Sequence, residues 1–369
     1  MFNAAFAVFI VSNLYFYLRM RAELGAWWKL HAAIAIFGAA LPLMLRLRLF
    51  GTSRAAEVMF ALSFTWLIVI GMICVGFFAA DAIALMLRPF GVVPGVGTRA
   101  KIVLPIVALL FCYSVFETYD IRRVSVTIET PLPLPEGGVR LVLLTDLHIG
   151  GLNTMGRLRK IMDIVREAKP DLLLVGGDTV DGDMGARDDA AQLLGSGGAK
   201  YGSFAVTGNH DFYTGVDKAV AFMRRAGLTV LRGERVNGVA GIDVIGLDDP
   251  TVRGRGFNAE ELRPPDLDMA RHGRFVVLLK HRPRVLDWTK GYFDLQLSGH
   301  THGGQLWPFG HLVERINGSV QGLSRVSNSE ASGGAYVYVS NGTGFWGPPM
   351  RFLTPPEVTV IDLKESTKK

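Results

Sequence analysis

Cysteine is nearly absent from this chain. There are two in 369 residues, Cys74 and Cys112, and both lie inside apolar runs. The C-terminal 250 residues have none, which excludes a disulfide framework and any thiolate metal site there. That part also lacks a basic patch interleaved with aromatics, which argues against nucleic acid as a partner. Charge is scarce at the other end: the first 119 residues hold 9 Lys/Arg and 4 Asp/Glu, leaving 30 against 29 for the remainder. The net charge of +6 therefore belongs mostly to the N-terminal third. It flanks hydrophobic segments there, the pattern of membrane topology.

Apolar residues are abundant, at 49% of the chain. Four runs, residues 2–18, 30–45, 58–80 and 102–116, concentrate them in the first third. The third run reaches the roughly 20 residues that one crossing needs. The others are shorter, and the shortest could be half-crossings. The first run lacks the basic leader of a cleaved signal peptide. The expectation is a bundle of about four transmembrane helices in a multi-pass protein of the cell's inner or plasma membrane, with membrane lipids as partners. Four spans put the N-terminus and the C-terminal part on one side. Six basic residues against five across the two faces do not orient the bundle, and dominance of the first hairpin favours a C-terminal part outside the cytoplasm. Asp81, directly after the third run, reads as interfacial.

The C-terminal part follows another grammar. Residues 122–130 read as a strand leaving the membrane, and Pro131, Pro133 and Pro135 as a stiff connector. Short apolar strands are expected at 139–144, 172–175, 203–206, 275–279, 295–297, 336–339 and 358–363, with amphipathic helices at 154–168 and 216–226. Early alternation followed mainly by strands implies an α/β fold with a mixed or paired sheet. The domains expected are a transmembrane region at 1–119, a connector at 120–138 and a globular domain at 139–369.

Polar constellations stand at the ends of these strands, where open α/β sheets place their sites. They are TDLHIG (145–150), GGDTVDG (176–182), GNHD (208–211), KHRP (280–283) and GHTHGGQ (299–305). Five of the eight histidines fall in them. Asp-Leu-His or Asn-His-Asp alone is ordinary turn chemistry, but all five motifs at strand ends point to one site. Carboxylates, an amide and imidazoles without thiolates suit divalent Mn, Fe, Zn or Co better than Ca. Seven or more such groups exceed one ion's needs and match two.

The motifs Asp146-Leu-His148, Gly177-Asp178-Thr-Val-Asp181, Gly208-Asn209-His210-Asp211, His281 and Gly299-His300-Thr-His302 resemble the calcineurin-like metallophosphoesterase family, over residues 139–305. With the apolar runs ahead of them, they are similar to its transmembrane branch, some of which resembles UDP-2,3-diacylglucosamine hydrolases of lipid A synthesis. The resemblance implies an α/β/β/α sandwich and two divalent ions, Mn, Fe or Zn. Asp146, His148, Asp178 and His302 would hold one, and Asp178, Asn209, His281 and His300 the other. It implies hydrolysis of a phosphodiester or pyrophosphate by in-line attack of a metal-bridging hydroxide. His210 would be the proton donor, Asp211 would orient it, and Asp181 would stand behind the ligands.

Protein Ser/Thr phosphatases of the superfamily carry arginines where this chain has Gly182 and Thr207, so a lipid- or nucleotide-linked substrate fits better than a phosphoprotein. Arg351 reads as a surface salt bridge, the alternative being a contact to phosphate. Trp307, Phe309, Phe345, Trp346, Met350 and Phe352 either pack a sheet or form an apolar rim for acyl chains. The alternative reading is a non-catalytic membrane metal-binding or sensor protein on the same fold, although no ligand is missing from the pattern.

Overall fold

The computed structural model describes residues 2–24, 27, 29, 31–33, 35–36, 54–182, 184, 187–253, 264, 266–270, 272–326 and 334–366. Two compact units result, Met1–Phe116 with Gly347–Met350, and Glu117–Trp346 with Arg351–Lys369.

The first unit contains helices α1 (Phe2–Leu24), α2 (Arg54–Leu87) and α3 (Val96–Tyr119). Phe16, Met20, Ile70, Phe77, Val103 and Val107 form its buried cluster. The outward faces are apolar as well, with Phe78, Leu85, Ile106 and Leu109 exposed. Helices hydrophobic all round need either a protein core or hydrocarbon around them. Among the described residues two segments, Val58–Phe90 and Val96–Tyr119, are long and apolar enough to cross a membrane. The expected run at 30–45 lies largely outside the described residues. The Asp81 carboxylate accepts hydrogen bonds from the guanidiniums of both Arg19 and Arg99, which neutralise it within an apolar helix.

The second unit is a pair of six-stranded sheets. The first sheet is built from β1 (Arg122–Thr130), β2 (Val139–Leu144), β3 (Leu172–Gly176), β4 (Ser203–Val206), β5 (Thr229–Val230) and β12 (Glu357–Glu365), in the order β1-β12-β2-β3-β4-β5. The second contains β6 (Glu234–Val239), β7 (Ile242–Gly246), β8 (Val276–Leu279), β9 (Leu295–Ser298), β10 (Gly322–Arg325) and β11 (Tyr336–Val339), ordered β10-β11-β9-β8-β7-β6. β2 to β5 are mutually parallel, as are β7, β8, β9 and β11. Strand β1, which the sequence suggests leads out of the membrane, pairs with β12 along nine residues.

The strands read as continuous apolar runs because both of their faces are covered. Leu141 and Leu143 of β2 point into the space between the sheets, with Leu174, Phe204, Val277 and Leu297. Their neighbours Val142 and Leu144 point the other way, onto α4 (Met155–Ala168), α5 (Asp188–Gly195) and α7 (Val216–Arg225). Helix α4 forms because Thr154 caps it, its hydroxyl accepting from Arg157 N, while Leu158, Ile161, Met162 and Val165 recur on one face. On the far side of the second sheet, Ile245, Val276 and Leu278 are covered by Leu267, Met269, Phe293 and Trp288. Among the described residues that cover consists of irregular chain and one short turn, Asp287–Thr289. No α-helix among the described residues contributes to that cluster. The apolar residues that close this face lack helical spacing and follow Pro264, Pro265 and Pro283.

Candidate metal centre

Each motif leaves the carboxyl end of a strand. Asp146 and His148 follow β2, and Asp178 and Asp181 follow β3. Asn209 and His210 open the one-turn helix α6 (Asn209–Tyr213) after β4. His281 follows β8, and His300 and His302 follow β9. Asp146, His148, Asp178, His300 and His302 all have φ between 45° and 72°. Left-handed backbone costs a non-glycine residue roughly 1–3 kcal/mol and tends to gather where function demands a geometry. The turns are close enough to require glycine beside them: a Cβ on Gly208 would lie 2.2 Å from Asp178 Oδ1, and one on Gly299 would lie 2.3 Å from Asp146 Oδ2.

Three groups of donor atoms converge, each with its atoms within 4.8 Å of one another: Asp146, His148 and His302; Asp178, His281 and His300; and His148, Asp181 and His210. His281 Nδ1 lies 2.9 Å from the Gly176 carbonyl, to which it can only donate. A neutral His281 then directs its Nε2 lone pair at Asp178 Oδ2, 3.2 Å away, and at His300 Nδ1, also 3.2 Å away. A similar crowding of imidazoles and carboxylates recurs at His148. Its Nδ1 donates to Asp181 Oδ2 at 2.8 Å, so its Nε2 lone pair faces His302 Nε2 at 3.3 Å and Asp178 Oδ2 at 3.9 Å. His302 Nε2 is in turn 3.4 Å from Asp146 Oδ1. Arg351 donates to His302 Nδ1 at 3.2 Å, so a neutral His302 carries its proton on Nε2, and a metal ion bound there would displace it.

The ionisation of these groups follows from that crowding. Burial opposes charge on His281, but Asp178 and then Asp146 outweigh it and push the imidazole up to about 10. A proton thus occupies the place of a cation, and a metal ion would have to displace it. Burial, followed by the His281 charge, presses His300 down to about 3. Burial, and next the Arg351 guanidinium, hold His302 well below the usual range. Both are therefore neutral, the form that binds metal. The Asn209 Oδ1 atom is buried and has no hydrogen-bond partner among the described residues, so its lone pairs are open to an ion.

The orienting contact expected from Asp211 is made by another residue. The Asp211 carboxylate is fully buried and accepts from the backbone N–H groups of Gly208, Thr179 and Val180. It fixes the entry to α6 and stitches it to the turn after β3. The partner of His210 is Asp181, whose Oδ1 lies 2.7 Å from His210 Nδ1. Asp181 therefore joins two imidazoles, His148 and His210, and these charges bring it down to about 2 against the effect of burial.

Arg351 is not at the surface. It is completely buried, and its guanidinium donates to the carbonyls of His302, Asn341, Gly344 and Thr354. Arg157, likewise buried, donates to the carbonyls of Thr118 and Thr343. Both fasten the loop after β11 beside the site, and neither contact has a signature in the sequence. Thr207, at one of the positions where the phosphatases carry arginine, donates its hydroxyl to Asp248.

Residues 139–304 match the family profile described as Calcineurin-like phosphoesterase. An uncharacterized metallophosphoesterase of Aquifex aeolicus (strain VF5) is 38% identical over 261 residues, 70% of this chain and 98% of the relative. One from Helicobacter pylori (strain J99) is 34% identical over 243 residues, 64% of this chain and 63% of the relative. A transmembrane protein with metallophosphoesterase domain from Danio rerio is 33% identical over 291 residues, 73% of this chain and 63% of the relative. The chain thus spans a little under two thirds of the latter two.

Proposed function

This chain belongs to the calcineurin-like metallophosphoesterase family and is a metal-dependent phosphoester hydrolase; on that premise we propose that it is a membrane-anchored enzyme with a two-ion site, cleaving a phosphodiester or pyrophosphate. Residues 1–119 are its multi-pass membrane region, with four spans; the expected connector at 120–138 already holds β1 of the first sheet, so the catalytic domain takes in that stretch as well as 139–369. Asp146, His148, Asp178 and His302 hold one divalent ion, and Asp178, Asn209, His281 and His300 the other. Asp178 would serve both, its Oδ2 lying 3.2 Å from His281 Nε2 and 3.9 Å from His148 Nε2. Imidazole, carboxylate and amide donors suit Mn, Fe or Zn. The observation that supports the reading is the pair of buried nests in which imidazole and carboxylate donor atoms converge, around His281–His300 and around His148–His302.

Bound ions would polarise the phosphoryl oxygens and supply a nucleophile at neutral pH. The chain's own part is positioning and proton transfer. Asp181 holds His210 by Nδ1, leaving Nε2 as the atom that gives a proton to the leaving oxygen. The rings of Tyr213 and Trp346 flank His210 at 5.3 and 5.5 Å between centroids and restrict its movement. With Gly182 and Thr207 in place of arginines, a diester or pyrophosphate on a lipid or nucleotide carrier suits the site better than a dianionic monoester. UDP-2,3-diacylglucosamine is one substrate of that class. The expected result is that the purified chain with Mn²⁺ hydrolyses bis-p-nitrophenyl phosphate in preference to p-nitrophenyl phosphate. Preference for the monoester would overturn the substrate class, and turnover of neither would count against the hydrolase.

A further inference from the structure

The helix α8 (Phe309–Asn317) after GHTHGGQ contributes nothing to any core: none of its residues is buried. Phe309, Leu312 and Ile316 share one face by their spacing and are 57%, 56% and 65% exposed. The apolar surface continues toward the metal centre. Trp307, just ahead of α8, is exposed, and its backbone N–H donates to the Phe352 carbonyl, next to exposed Leu353. Gln305 accepts from the backbone N–H of Trp346, whose ring lies against His210. Exposed apolar side chains therefore extend from the proposed proton donor out to α8.

The flank of this surface is basic. Arg315 is the exposed cation of α8, while exposed His311 lies 3.5 Å from the Glu314 carboxylate, which also accepts from Gln321 N. Beside them is a cleft of about 600 Å³ whose ionisable lining is Arg315, Arg325, His311 and one carboxylate, Glu314. An aromatic and aliphatic face next to basic side chains matches the boundary between acyl chains and anionic headgroups. The chain also brings such a boundary within reach. Only Asp120 and Ile121 separate α3, which is long and apolar enough to cross a membrane, from β1 of the catalytic sheets. A catalytic domain tethered so closely stays near the bilayer in every molecule, which no free partner protein does.

We infer that α8 and Trp307 lie in the plane of an anionic bilayer and seat the catalytic domain on it, so that the phosphoester cleaved is the headgroup of a lipid taken from that surface. The second half rests on the hydrolase reading above, and the first does not.

The test uses the full chain, with Cys74 and Cys112 replaced by Ala, in nanodiscs of zwitterionic and anionic phospholipid. Spin labels are placed at Leu312→Cys, Ile316→Cys and His311→Cys. Labels at 312 and 316 should be relaxed more by oxygen than by a water-soluble nickel chelate, and the label at 311 the reverse. Equal nickel access at all three would overturn the seating. So would labels shielded from both relaxers, which would indicate protein packing, or a second copy if dipolar coupling appears between labels. Separately, Leu312→Glu with Ile316→Glu should lower kcat/KM on a nanodisc-embedded phospholipid diester by at least about tenfold. Turnover of soluble bis-p-nitrophenyl phosphate should stay at the wild-type level. Equal effects on both substrates would refute delivery from the membrane. Wild-type inactivity on both would refute the hydrolase reading and leave the label depths to decide the seating.

Discussion

Asp178→Ala should lower kcat/KM by at least about 10³-fold, more than loss of one electrostatic donor from an active site commonly costs. The reason is that Asp178 serves both nests. Its Oδ2 is 3.2 Å from His281 Nε2 and 3.9 Å from His148 Nε2, while Oδ1 accepts from His210 N at 2.7 Å. Removing it should cost both ions, so metal content should fall together with rate. The metal-free protein should also lose stability, by about 3–5 kcal/mol if the change acts as the breaking of a buried ion pair. The conservative Asp178→Asn keeps the shape and one neutral oxygen, so it should fold yet remain inactive. Activity within tenfold of wild type in either variant would show that the carboxylate does not serve two ions.

His210→Ala should lower kcat by about 10²–10⁴-fold, the usual worth of a general acid, while both ions remain bound. Metal content measured on the purified variant separates this from a ligand's loss. The pH profile gives the sign. Burial works against a charged His210, but Asp178 and Asp181 outweigh it and lift the imidazole to about 9. Its protonated form, the one that donates, therefore persists through neutrality, and kcat should fall as pH rises through that region. Bound divalent ions repel the same proton and draw the falling limb to lower pH. Wild type and Asp181→Asn must accordingly be compared with the same metal. Losing the Asp181 carboxylate removes one of the charges that raise His210, so the limb should move further to lower pH. The rate should drop by about 10–100-fold, since Asp181 also sets the tautomer of His148. A limb that does not move would mean that Asp181 does not govern His210.

Much of the site could be read in the sequence because its geometry is tied to strand ends. Apolar runs such as 139–144 and 172–175 mark strands covered on both faces, and the residues just beyond them fall on one edge of the layered sheets. What was not legible depends on side-chain direction or distant pairing. Asp211 follows His210 in the chain, but consecutive residues at a helix start point apart. The carboxylate that reaches the imidazole comes from the turn after β3, 29 positions away. The burial of Arg351 depends on four carbonyls that no motif announces. The partner of β1 is the last strand of the chain, so the stretch reads as a strand whose place in a sheet emerges only when the two ends meet. Helix α8 could have been found, since Phe309, Leu312, Val313 and Ile316 recur at helical spacing. It was hidden among aromatics that also suit a sheet.

The central claim is that two divalent ions held around Asp178 make this chain a phosphodiester hydrolase. The most direct measurement is turnover of bis-p-nitrophenyl phosphate by the purified full chain after exhaustive chelation, followed by titration with Mn²⁺ while bound metal is counted. The account predicts no turnover in the chelated protein and recovery that reaches its plateau at two ions per chain. Turnover that survives chelation, or that saturates with a single ion bound, would contradict it.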